Sequence, residues 1–190
     1  MIGENTKTEK YKEYLRSYND DIPVSFIKSF SKITLKAGEE VAHYSTCKTY
    51  VIPLSGGIEL DENNVLVSEE YWELNESQKD IKNASSDFET TFFIIELNLP
   101  PRDYSKIRKI TVNPLQPGTY LNPSFGFYTY MENHSLLSSY FSDCFIYVIE
   151  GNFEMEERFI KKGDILILEN IKSIDFECLS EKGLFLLLKI

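Results

Sequence analysis

YVIPLSGGIEL, residues 50–60, and FIYVIEGNFEM, residues 145–155, share one pattern: an apolar run halts at a glycine and resumes as alternating apolar and acidic residues. Setting Gly56 on Gly151, an offset of 95 residues, lets 50–75 run against 145–170 without a gap. Ile58, Glu59 and Leu60 then meet Phe153, Glu154 and Met155, Val65 meets Ile160, and Glu69 meets Asp164. Identities are few, but the apolar positions keep their phase. Each copy closes on a strong apolar segment, FFIIEL at 92–97 and LFLLLKI at 184–190. The chain therefore holds two copies of one β unit.

The remaining sequence agrees. From Ile22 onward, short β-rich segments are broken by Gly, Pro, Asn and Asp, the pattern of an all-β sandwich or barrel. Only the N-terminus reads as helix, where Tyr11, Tyr14, Leu15 and Tyr18 fall on one helical face. Residues 99–117 carry Pro100, Pro101, Pro114 and Pro117, so they read as a connector that can still contribute the short strand KITV. The expected division is 1–98 for the helix and first unit, 99–117 for the connector, and 118–190 for the second unit.

Composition narrows the partners. A 42% hydrophobic content supplies a core, and a net charge of −10 disfavours nucleic acid, whose phosphates require clustered Lys and Arg. No apolar stretch approaches the ~20 residues of a membrane span, and MIGENTKTEK lacks the apolar centre of a signal peptide, so a cytoplasmic protein is expected. Cys47, Cys144 and Cys178 are odd in number and form no CxxC pair, which argues against a disulfide framework or a zinc knuckle.

IEGNFEMEERFIKKGDILILEN, residues 149–170, resembles the centre of a cupin barrel: strand, corner glycine, hairpin, then Gly-Asp leading into an apolar strand. Two such units resemble a bicupin, and residues 126–190 resemble the C-terminal barrel of pirin-like proteins. The resemblance implies an all-β chain of two tandem cupin (double-stranded β-helix, jelly-roll) barrels behind the short N-terminal helix, with homodimers as the expected assembly. Metal-dependent cupins bring three imidazoles and one carboxylate together inside the barrel, and pirin-like proteins do so in the first barrel. Slot by slot, this chain presents His43, Ser45, Thr49 and Lys79 there, and Ser138, Tyr140 and Cys144, with Ile174, in the second repeat. One imidazole of four donors remains, so no metal and no cofactor is expected.

These seven residues from His43 to Cys144 are the candidate ligand pocket. The expected function is that of a metal-free, non-enzymatic bicupin that binds a small organic molecule or a protein partner. The alternatives are a sugar isomerase- or epimerase-like enzyme using His43 as its base, and a metal-dependent dioxygenase. An enzyme would need a second group facing His43, and Lys79, Tyr50 or Tyr71 is within reach of that role in sequence. Lys79 reads equally as a solvated surface charge, Cys144 as a small buried hydrophobe, and His134 as part of a surface turn. The acidic clusters ELDEN and EMEER, which follow the two corner glycines, read as hairpin turns.

Overall fold

A computed structural model describes residues 26–61, 64–68, 70–74, 77–100, 106–109, 111–112, 123–137, 143–169 and 171–189. These fall into two compact units, 26–109 and 111–189. Every regular element among them is a strand. The helix expected over Tyr11–Tyr18 lies outside the described residues.

In the first unit, β1 (Ile27–Leu35), β8 (Thr90–Leu97), β3 (Thr49–Ser55), β6 (Glu70–Leu74) and β9 (Lys106–Lys109) form a five-stranded sheet in that spatial order. A four-stranded sheet follows the order β2 (Glu40–Ser45), β7 (Ser77–Asn83), β4 (Gly57–Asp61), β5 (Asn64–Val67). The second unit repeats this plan. Its larger sheet runs β10 (Thr111–Val112), β11 (Ser124–Thr129), β18 (Lys182–Lys189), β13 (Cys144–Glu150), β16 (Ile165–Leu168). Its smaller sheet runs β12 (Asn133–Leu137), β17 (Ser173–Cys178), β14 (Asn152–Met155), β15 (Arg158–Lys161). The proline-rich connector thus gives a strand to each unit: β9 pairs with β6, and β10 runs parallel to β11.

The repeated glycine is the corner between sheets. The chain leaves the larger sheet at Ser55 and Glu150 and enters the smaller one at Gly57 and Asn152. Between them Gly56 and Gly151 hold φ of 72° and 81°, left-handed values that a Cβ disfavours. The register also slips just before each corner, between Pro53 and Ser55 and again between Val148 and Glu150, at equivalent positions. Such a bulge bends the strand and turns it toward the second sheet. Among the described residues no ladder joins the two sheets of a unit, so each is an open sandwich and not the closed barrel that the sequence suggested.

Each sandwich encloses its own core. In the first, Val51, Ile58, Leu66, Trp72, Phe92 and Ile94 pack together. In the second, Tyr128, Phe153, Met155, Phe176 and Phe185 lie among Ile and Leu side chains. The larger sheets are buried on both faces: Phe93 and Ile95 are as enclosed as Phe92 and Ile94. This is why FFIIEL and FIYVIE read as unbroken apolar runs and not as alternating ones.

Candidate functional site

The first unit has one polar end to its interior. On β2, Val41, His43 and Ser45 turn inward while Ala42 and Tyr44 face solvent, as the period of two predicts. Ser29, Glu96 and Thr49 form a cross-strand row on the inner side of the larger sheet, and Ser31, Ile94, Val51 and Trp72 form the next. Facing them across the interior is the His43–Lys79 pair of β2 and β7.

Contacts join the two sheets here. Ser45 Oγ and Thr49 Oγ1 are 2.6 Å apart, and each hydroxyl also lies within hydrogen-bond reach of the Cys47 carbonyl. Ser29 Oγ donates to Glu96 Oε2 at 2.6 Å. The other carboxylate oxygen lies 3.9 Å from His43 Nε2, too far for a hydrogen bond, and 3.8 Å from Cys47 Sγ. His43 Nε2 is buried without a hydrogen-bond partner. Burial lowers the His43 pKa below its ordinary value; the Glu96 carboxylate opposes this and the Lys28 ammonium adds to it. The imidazole is therefore neutral at pH 7.

A cleft of about 370 Å³ opens beside these groups, between β1 and β2. Lys28, Ser29, His43 and Glu96 line its polar end, and Ile33, Val41 and Ile94 its apolar wall. Lys79 turns inward on the neighbouring strand, half-buried, with Nζ 5.6 Å from the centroid of the Trp72 ring. Tyr50 and Tyr71, the tyrosines that the sequence offers as partners for His43, pack edge to face with centroids 5.7 Å apart. Strand alternation explains their position: with Thr49, Val51 and Trp72 inward, Tyr50 and Tyr71 occupy the opposite face of the sheet. The second polar group facing His43 is instead Glu96, which the sequence reading passes over. Its signal was a lone carboxylate at the end of an otherwise apolar strand.

Among its described residues the second unit shows no such end. Strand register sets Leu136 against Ile174 where the first unit has His43 against Lys79, two residues earlier than the constant offset of 95 implies. Cys144 stands in the place of Thr49, fully buried in the apolar cluster, and burial pushes its thiol pKa well up. Tyr128 stacks on Phe185 at 5.5 Å and meets Phe176 edge-on at 4.8 Å, filling the interior. His134 belongs to β12 rather than a surface turn and packs against Tyr128 and Phe176. Ser138 and Tyr140 lie outside the described residues. Glu156 and Glu157, from the second acidic cluster, form the β14–β15 hairpin turn with φ of 50° and 60°. Cys47, Cys144 and Cys178 are all free thiols, and no helix among the described residues is long and apolar enough to cross a membrane.

The donor set of the first unit does not fit a divalent metal. Ser45 and Thr49 spend their hydroxyls on each other and on a carbonyl, and an ammonium stands opposite the single imidazole. Among the described residues no three His, Cys, Asp or Glu side chains converge to hold an ion.

No family model and no curated protein sequence matches this chain. Solved structures do match it. The pirin YhhW of Escherichia coli, in a crystal structure with nickel(II), is 15% identical with a TM-score of 0.63, over 87% of this chain and 82% of that one. The protein YhaK of Escherichia coli is 14% identical with a TM-score of 0.64, over 86% of each chain. Quercetin 2,3-dioxygenase from Acinetobacter baumannii is 11% identical with a TM-score of 0.61, over 85% of this chain and 73% of that one. With the repeated strand order and the corner glycines, the chain shares the fold of these structures, the pirin-like cupin fold that the sequence resembles.

Proposed function

We propose that this protein is a metal-free, pirin-like bicupin that binds a small organic molecule in the cleft of its first unit. One observation carries the reading: the neutral His43 imidazole has a buried, unpartnered Nε2 beside the Glu96 carboxylate. Such an atom costs on the order of 1–3 kcal/mol if left unsatisfied. A guest that bonds to Nε2 removes that cost, and the Ile33, Val41 and Ile94 wall receives its apolar part. The apolar, aromatic cluster described in the second unit suits a structural role. Ligand-observed NMR against a library of small polar organic molecules tests this. Binders should lose affinity in His43→Ala and Glu96→Gln, and a set of hits indifferent to both substitutions would remove the cleft as the site.

Proton transfer without metal is the second reading, favoured by the same geometry. A neutral imidazole can accept a substrate proton near pH 7, and a carboxylate 3.9 Å away stabilises the imidazolium that forms. Turnover of any substrate found would then vanish in His43→Ala while binding by Glu96→Gln persisted more weakly.

A further inference from the structure

Lys79 is the group that the cleft reading leaves unused. Its strand register with His43 places it on the inner face, and its ammonium rests over the ring of Trp72, a core residue only 6% exposed. Among the described residues no carboxylate or hydrogen-bond acceptor reaches its side chain, which rests on the Trp72 ring alone. Glu96 faces the same interior from the opposite sheet, yet its oxygens are engaged by Ser29, with His43 and Cys47 alongside, and not by Lys79. Lys79, beside His43 on the neighbouring strand, and Glu96 thus face the same interior without forming an ion pair, while Lys28 stands at the cleft rim. Half-buried charges left this way lose hydration without gaining a partner. A cation–π contact compensates only partly for the lost hydration.

We propose that Lys79 is the counter-ion for the carboxylate of a small organic acid, so that a fixed ammonium stands where a metal ion would otherwise supply positive charge. The acid's hydroxyl or other donor group faces His43 Nε2 and Glu96 Oε1, since an imidazole nitrogen and a carboxylate oxygen can each accept a hydrogen bond. Lys28 at the rim adds a second positive charge to attract the guest. The inference rests on the first unit being the binding unit, and it names the ligand's charge and class.

Trp72 provides the reporter, because it is the chain's only tryptophan and lies against Lys79. Its fluorescence would be followed while short-chain hydroxycarboxylates and their matched primary amides are added to the full-length protein. Saturable change with acids and not with amides is expected, together with an affinity at least about tenfold lower in Lys79→Met, as befits loss of a charge-assisted hydrogen bond. Lys79→Arg, which keeps the charge, should retain most of the binding and guards against a folding defect. Equal responses to acids and amides would overturn the carboxylate inference while leaving the binding unit in place. No saturable response to any acid, or unchanged affinity in Lys79→Met, would overturn it as well. Hits from the wider NMR library that ignore His43→Ala would instead overturn the underlying choice of site.

Discussion

Replacing Glu96 by Gln keeps the shape of the side chain and its bond from Ser29 but removes the charge that faces His43. At the 3.9 Å separation of Nε2 and Oε1, two unit charges attract by about 1 kcal/mol in a water-like medium and about 4 kcal/mol at an effective dielectric of 20. Both side chains are mostly enclosed, 16% and 11% exposed, so the value lies between these limits. Glu96 stabilises the protonated ring only. Its loss leaves burial and Lys28 unopposed, and His43 should titrate at a still lower pH. The chain has two histidines, so an NMR pH titration resolves two ring signals, with His134 of the second unit as internal control. A His43 titration that stays in place or moves upward in Glu96→Gln would refute the geometry of the site. Stability follows with a definite sign. The folded pKa lies below the ordinary 6.5, so on acidification the unfolded chain takes up this proton first. The contribution is full above about 6.5, falls as pH drops toward the folded value and then levels; Glu96→Gln extends the fall to lower pH.

The corner glycine offers a test of the fold: a Cβ at Gly151 would strike the Lys182 carbonyl and stand 3.0 Å from Gly183 Cα. Gly151→Ala should therefore destabilise by on the order of 2–4 kcal/mol, combining left-handed strain with overpacking; a urea-unfolding loss below about 1 kcal/mol would contradict this. Thr49→Val breaks the hydroxyl pair but leaves Ser45 bonded to the Cys47 carbonyl, so a loss near 1 kcal/mol is expected in thermal or urea melts. Cys144, fully buried with a raised pKa, should escape iodoacetamide in the native protein and react only in denaturant, as read by peptide mass spectrometry.

Much of this architecture was legible because the corner glycine and the phase of the apolar residues are local signals. At an offset of 95, β3 and β13 coincide residue for residue, and both sheet changes follow from φ values that a glycine accepts at little cost. The site was only half legible. His43, Ser45 and Thr49 lie close together because β2 and β3 are near in sequence, but Glu96 and Ser29 reach them through pairing of β1 with β8, which are 55 or more residues apart along the chain. Tyr50 and Tyr71 misled because a strand buried on both faces hides its inward side: apolar residues point both ways, so alternation no longer marks direction. The shift from Ser138 to Leu136 as the counterpart of His43 arises from a longer approach to β13 in the second copy, which a gapless alignment cannot contain.

The cleft lies between β1 and β2, and each of these is the outermost strand of its sheet. Among the described residues each is held by a single ladder, β1 to β8 and β2 to β7, whereas an inner strand is held by two. Local fluctuations that open a single ladder are the cheapest a sheet possesses. Passage into and out of the interior can then proceed by breathing of a margin, with the aromatic core of the first unit left assembled. For the proposed guest, the same margin would set the residence time: stiffening β2 against β7 would slow arrival and departure together and leave the affinity itself nearly unchanged.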